Sequence, residues 1–177
     1  MIPREVLLSD GSLVTIRGAM VSDLEQIIRI FKLIAHEKTH FVVERVEVHM
    51  DEEKRNIRRS RGRNGLIAVA VNQKGHVVGF VNVIRSRRAK SRHVADIDSI
   101  GILPRYRGMG LGRELTREAI HWAHRSGIKK LSLGVFSSNI AALKLYRSMR
   151  FVLDGVIRRQ YRIRNRYVDN INLAFWP

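Results

Sequence analysis

Three glycines fall within five residues in RYRGMGLG (105–112), directly after an apolar run and directly before a helical pattern. Between a strand and a helix, such a turn lets backbone N–H groups approach a phosphate, and the helix N-terminus adds unsatisfied donors and positive dipole character. The spacing points to an anion over residues 108–113, with tight helix–strand packing as the purely structural alternative. The common nucleotide patterns do not fit. A P-loop needs G-x-x-x-x-G-K-[ST], which is absent. A dinucleotide fingerprint needs G-x-G-x-x-G and an acid about 20 residues on. Here Gly108, Gly110 and Gly112 form G-x-G-x-G, and Ile128-Lys129-Lys130 stand where the acid belongs.

Other reactive groups are few. Without cysteine there is no disulfide, thiolate ligand or thiol nucleophile. His36, His40, His93, His121 and His124 form no metal constellation; His121 and His124 share a helix face but lack a third ligand nearby, so no metal is expected. Lys and Arg number 33 against 16 Asp and Glu, a net charge of +17. Such a field attracts polyanions, or is simply a solvated basic surface. The 177 residues are 45% apolar, which suits one domain over 1–177 with a proper core. No apolar run approaches the ~18 residues of a membrane span, and MIPREVLLSDGS lacks the apolar stretch of a signal peptide. A soluble, cytoplasmic protein with no membrane partner is the expectation.

The elements that must position the glycine turn read as follows. LVTIRGAM (13–20) alternates as a strand. Ser22 and Glu25 form a capping box, followed by Leu24, Ile27, Ile28, Phe31 and Ile34 at helical spacing. The first half of MDEEKRNIRRSRGR (50–63) is helical. LIAVAV (66–71) and HVVGFVNVI (76–84) make a hairpin around NQKG. SRRAKSR (86–92) is a basic loop, and HVADIDSIGIL (93–103) is a strand. Leu111, Leu115, Ala119 and Trp122 stripe a helix ending near 125–127. A strand (129–136), a short helix (137–149) with Ala141, Ala142, Leu145 and Met149 inward, and two strands joined near Arg164 and Asn165 complete the chain. The order β-α-α-β-β-β-α-β-α-β-β describes a mixed α/β (α+β) sheet.

Two stretches resemble a known family. IGILPRYRGMGLGRELTREAI (100–120) is similar to the acyl-CoA signature of the GNAT (GCN5-related N-acetyltransferase) superfamily, R/Q-x-x-G-x-G/A between strand and helix. SSNIAALKLYRSMRF (137–151) resembles that family's N-x-x-A-x-x-L-Y-x-x-x-G-F, and the element order matches. More loosely, IRGAMVSDLEQI resembles the usual start, and YRIRNRYVDNINLAF resembles the end of the amino-acid and ribosomal-protein acetyltransferase branches.

The resemblance implies an acetyl-CoA-dependent N-acetyltransferase with no metal. Acetyl-CoA would lie in a splay between the strand ending at 99–102 and the strand at 131–136. Backbone of Ile100, Gly101 and Ile102 would pair with pantetheine. Arg107, Gly108, Met109, Gly110, Leu111, Gly112 and Arg113 would hold the pyrophosphate, with Asn139 on the CoA arm or as a helix cap. Tyr146 matches the general acid that assists the departing thiolate. Gly134 stands where some relatives carry a glutamate base, which leaves Asp96 and Asp98 as candidate bases; a bulge is expected beside them, and a salt bridge to an arginine is the rival role. Glu37 follows the first helix, where the acceptor slot commonly lies. Arg150 replaces the family's glycine after the short helix. The acceptor is an amine of a small molecule or amino acid, or of a protein or peptide. An acidic or ribosome-associated partner fits the charge, and a homodimer fits the family. The rival class is a non-catalytic acyl-CoA-binding or nucleic-acid-associated module, for which Tyr161 and Tyr167 would be the stacking rings.

Overall fold

The computed structural model describes residues 1–37, 50–60, 62–163 and 165–177, and for His36 and Arg59 the backbone alone. His40 and Arg164 lie outside the described residues. The strands are β1 (Arg4–Leu7), β2 (Leu13–Gly18), β3 (Gly65–Asn72), β4 (Val77–Arg85), β5 (Val94–Ile102), β6 (Lys130–Phe136), β7 (Val152–Ile163) and β8 (Arg166–Phe175). The helices are α1 (Leu24–His36), α2 (Met50–Arg59), α3 (Leu111–Arg125) and α4 (Ile140–Ser148). All eight strands join one sheet in the order β1-β2-β3-β4-β5-β6-β8-β7. Every neighbouring pair is antiparallel except β5 with β6.

Strand β1 was not expected. Its signal is the Asp10-Gly11 turn: Asp10 Oδ1 accepts from the Ser12 N–H at 3.0 Å and hydroxyl at 2.7 Å, and Gly11 sits at φ 83°. That turn folds four residues back onto β2. The cap before α1 also differs from the expected Ser22–Glu25 box. The Met20 N–H donates to Asp23 Oδ2 at 2.7 Å, so the reciprocal side chain comes two residues earlier. The charge of Asp23 is met by a bidentate pair with Arg17, at 2.7 and 2.9 Å.

Each face of the sheet has its own core. On one, Leu111, Leu115, Ala119 and Trp122 of α3 pack against Val78, Val81, Ala95, Ile97 and Leu131, as their spacing predicts. Helix α3 stops in a Schellman closure: Gly127 at φ 69° donates to the His124 carbonyl, and the Ile128 N–H to Ala123. On the other face, Ile30 and Ile34 of α1 and Ile57 of α2 cover Val69, Val71 and Phe80. Helix α4 corrects the expected facing. Leu143 and Tyr146 are its buried residues, Ala142, Leu145 and Met149 are half-buried, and Ala141 is exposed. The place of α4 in the α3-side core, with Leu145 against Gly112 and Tyr146 against Phe151, rather than its own pattern, selects that stripe.

Asp23 yields a test of this framework. Burial alone would raise its pKa, but the Arg17 guanidinium and the Met20 N–H hold it below the usual carboxylate value. Its stabilising contribution is therefore complete above about pH 4, the unfolded-state pKa, and is lost as pH falls through the lower folded value. Asp23→Asn should cost about 2–3 kcal/mol at pH 7 in denaturant unfolding. The gap to wild type should close as the pH is taken below 4.

Candidate functional site

The site begins where two strands part. β5 and β6 pair only through Val94–Asp96 and Lys130–Ser132. Beyond that, β5 stays with β4 as far as Ile102, and β6 stays with β8 as far as Phe136. Their facing edges are left without a ladder partner, so the sheet opens into a wedge. The expected bulge lies at its apex: on β4, Asn82 opposes Ser99 and Val83 opposes Ile97, which leaves Asp98 opposite no residue. The extra residue resets the pleat. Ala95 and Ile97 face the α3 core before it, and Ile100 and Ile102 face that same core after it.

The glycine turn closes the end of this wedge. After Ile102 the chain makes one 3-10 turn, Pro104–Tyr106, and reaches Gly108 at φ 75° and Gly110 at φ 88°, a conformation that side chains with a Cβ rarely adopt. Gly112 has a different reason: a Cβ there would meet Leu145 at 3.2 Å and Ile102 at 3.4 Å. The Arg107 N–H is taken by Pro104 and the Glu114 N–H by Gly110. Between them, the N–H groups of Gly108, Met109, Gly110, Leu111, Gly112 and Arg113 have no acceptor among the described residues. Six successive free donors at a helix start form a cradle for an anion. The glycines thus divide into two that take left-handed backbone and one that permits close packing.

Arg107 and Glu37 are brought together. The guanidinium donates to both Glu37 carboxylate oxygens at 2.9 Å, and its Nε to the Ile102 carbonyl at 3.1 Å. The residue expected on phosphate and the residue expected on acceptor therefore clasp the glycine turn to the end of α1. The 70-residue separation leaves no sequence signal for this pair. Arg113 donates to the Ser148 hydroxyl at 2.9 Å.

Asn139 caps α4, its Oδ1 accepting from the Ala142 N–H at 3.1 Å. Arg150 takes φ 67°, so the turn keeps its left-handed form despite the missing glycine. Tyr146 packs edge-on to Phe151 with ring centroids 5.5 Å apart. Burial pushes its phenol well above the ordinary tyrosine pKa, so it keeps its proton. Its hydroxyl has no partner among the described residues, where no sealed side-chain polar atom is left unpaired. The oxygen therefore retains an opening.

Asp96 and Asp98 point to the sheet face opposite α3, both exposed. Asn82 Nδ2 donates to Asp98 Oδ2 at 3.2 Å. Neither carboxylate is in an arginine salt bridge among the described residues. Asp96 is held above the usual carboxylate pKa, first by desolvation and then by the charge of Asp98, against the opposing pull of Lys130. Across the wedge, Gly134 leaves room for Asn170: a Cβ there would lie 2.9 Å from Asn170 Oδ1. Asn170 in turn donates to Asn172 Oδ1 at 2.6 Å. Among the described residues no three His, Asp or Glu side chains gather as a metal site.

This arrangement can be compared with known proteins. Over 95 residues the chain is 38% identical to the N-alpha-acetyltransferase RimI of Mycobacterium tuberculosis, covering 54% of this chain and 58% of that protein. Over 105 residues it is 31% identical to the L-amino acid N-acetyltransferase AaaT of Escherichia coli K12, covering 56% and 62%. The alignments thus span less than two-thirds of either relative. The crystal structure of a GNAT-family acetyltransferase from Streptococcus pneumoniae superposes with a TM-score of 0.85 at 27% identity, covering 93% of this chain and 99% of that one. The family model described as Acetyltransferase (GNAT) family matches residues 27–151, which include the wedge, the glycine turn and Tyr146. The chain belongs to the GNAT acetyltransferase family.

Proposed function

We propose that this chain transfers the acetyl group of acetyl-CoA to a primary amine, either of a protein or peptide or of an amino acid or other small molecule. The observation that carries this reading is the wedge between β5 and β6 ending beside six unpartnered N–H groups. A long donor with amide links at one end and a pyrophosphate at the other needs those features side by side. In this reading the open edge at Ile100, Gly101 and Ile102 bonds the pantetheine amides. The N–H groups of Gly108, Met109, Gly110, Leu111, Gly112 and Arg113 hold the pyrophosphate. Arg107 acts through Glu37 and Ile102 by fixing the turn, and Asn139 fixes the start of α4.

The donor supplies a thioester carbonyl. The amine nitrogen bonds to that carbon, the C–S bond breaks, and the proton of the amine leaves to a carboxylate or water. Asp98 is the better placed base, because strand pairing ends at Asp96 and Asp98 is the first carboxylate on the open lip. Asp96, with its raised affinity for a proton, stands behind it. Tyr146 donates a hydrogen bond to the departing sulfur. With its pKa raised by burial, outright proton transfer to a thiolate is uphill, and hydrogen-bond stabilisation is the larger contribution.

A nucleic-acid module is disfavoured by its own candidate rings. Tyr161 packs on Phe136 at 4.8 Å, and Tyr167 lies under the Arg159 guanidinium at 5.1 Å. Tyr161 is thus taken up in an intramolecular ring contact, and one face of Tyr167 is covered by Arg159. The described helices include none long and apolar enough to cross a membrane. A cytoplasmic setting, one GNAT domain over 1–177 and a homodimer complete the proposal. The homodimer is supported by Val152, Leu153, Val156 and Ile157, exposed on the edge strand β7.

The test is CoA release from acetyl-CoA over a panel of amine acceptors. Tyr146→Phe should lower kcat about 100-fold and leave acetyl-CoA affinity unchanged, as measured by calorimetry. The wild-type rate on an α-amine should rise with pH towards a pKa of about 8, with no falling limb from Tyr146. Unchanged turnover in the variant would remove Tyr146 from the mechanism.

Asp96 makes a separate prediction. Its folded pKa is raised, so its ionised form opposes folding above the unfolded pKa. Asp96→Asn should raise Tm at pH 7, and that gain should vanish below about pH 4. Asp98→Asn should cut kcat/KM about 100-fold at pH 7. A loss confined to Asp96→Asn would exchange the two roles.

A further inference from the structure

The basic loop 86–92 has no part in this chemistry, yet the structure builds it into a cleft. Between α2 and the strands β3 and β4 runs an opening of about 710 Å³. At one end lies Asn82, which is bonded to Asp98; Ile84, opposite Asp96 on β5, follows on the same sheet face. Glu52 and Asn56 of α2 line one wall, and the other end carries Arg85, Arg87 and Arg92. The loop is ordered by its own bonds: the Ser86 N–H donates to Val94 at 3.0 Å, and the Ser86 and Ser91 hydroxyls meet at 2.6 Å. Arg85 pairs with Ala95 and donates to the carbonyls of Arg92, Arg63 and Ser126, so its guanidinium braces the loop from the α3 face and the charge at the cleft is left to Arg87 and Arg92. Arg87 and Arg92 are exposed and join no ion pair among the described residues. Glu52 is the one carboxylate among the described lining residues, so the arginine end is positive; Asp98, bonded to Asn82, and Asp96, opposite Ile84, border the other end from β5.

The length of this polarity decides what fits. Asn82 and Arg85 are three strand residues apart, about 10 Å at ~3.3 Å per residue, and Arg87 lies two residues further. A free α-amino acid holds its amine and carboxylate on one carbon and cannot touch both ends. An extended peptide advances ~3.3–3.6 Å per residue, so its third to fifth side chain reaches the arginines when its amine is at Asp98.

Resting on the acetyltransferase reading, we propose that this cleft is the acceptor groove and that the acceptor is an extended peptide N-terminus with an acidic side chain at its third to fifth residue, held by Arg87 and Arg92. The +17 charge then has a local use at this end of the groove.

The test uses the full chain and a hexapeptide of alanines with a single glutamate as its fourth residue. Beside it stand the same peptide with the glutamate moved to the second residue, two versions with glutamine or lysine as the fourth residue, and free alanine. Binding is read by anisotropy of C-terminally labelled peptide with CoA present, and turnover by CoA release. The peptide with glutamate fourth should bind about 10-fold tighter than the peptide with glutamine fourth and the peptide with glutamate second. Arg87→Gln with Arg92→Gln should abolish that preference and leave acetyl-CoA affinity intact. Arg87→Glu with Arg92→Glu should transfer it to the lysine peptide, a reversal that a purely structural role would not produce.

Equal binding of the glutamate and glutamine peptides, a preference that survives both double variants, or free alanine matching the best peptide in kcat/KM would each overturn the groove. So would tighter binding of a ten-nucleotide oligouridylate that the Arg87 and Arg92 variants abolish. Peptide preference without CoA release would instead count against acetyl transfer while upholding the cleft as a peptide site. CoA release without peptide preference would do the reverse.

Discussion

The three-residue pairing of β5 with β6 is the constraint on which the site depends. Two parallel strands that part expose backbone donors and acceptors, and buried polar groups of that kind are rarely left unpaired. The sheet tolerates the opening because each strand keeps a full ladder on its outer side, β5 with β4 and β6 with β8. Only the inner edges are open, and they face each other. The bulge at Asp98 makes the opening chemically two-sided. It turns Asp96 and Asp98 to one face while Ile97, Ile100 and Ile102 all stay with the α3 core. A regular strand would have put Ile100 and Ile102 on the carboxylate side. One inserted residue therefore separates an apolar wall from a charged one.

The glycine turn depends on the same geometry. Its donors are free because Gly108 and Gly110 take left-handed conformations that aim the N–H groups away from the preceding carbonyls. The turn is held from three directions: Gly112 against Leu145 and Ile102, the Met109 carbonyl against the Ser9 N–H at 3.3 Å, and Arg107 against Glu37. A half-exposed ion pair contributes little to global stability. Its bidentate geometry nonetheless fixes an angle, and a fixed angle is what a row of N–H donors requires.

Tyr146 combines two demands that the short helix α4 has to reconcile. Its ring fills the core beside Phe151, and its hydroxyl must remain reachable. Burying the ring raises the pKa and keeps the phenol protonated through the pH range in which an α-amine loses its proton. That suits the hydroxyl to donating a hydrogen bond rather than a proton; the carboxylates of Asp96 and Asp98 lie on the opposite face of the sheet.

Local pattern alone determined much of this protein. The hairpin β3–β4, the stripe of α3, the glycine turn and the cap at Asn139 all follow from residues within a few positions of one another, because periodicity, φ and capping are short-range effects; the bulge beside Asp98 was expected from the resemblance to the family's pattern instead. The Asp10-Gly11 turn was equally local and carried β1 with it, though four residues are too few to show alternation. What only the tertiary structure decided involves partners far apart in sequence. The Arg107–Glu37 clasp joins residues 70 apart, the fit of Asn170 against Gly134 crosses two strands, and the buried face of α4 is chosen by the core it joins. The cleft that links Asn82 to the 86–92 loop likewise exists only once α2 lies across β3 and β4. Side-chain contacts of that kind depend on where the sheet carries each strand, and no window along the chain contains that information.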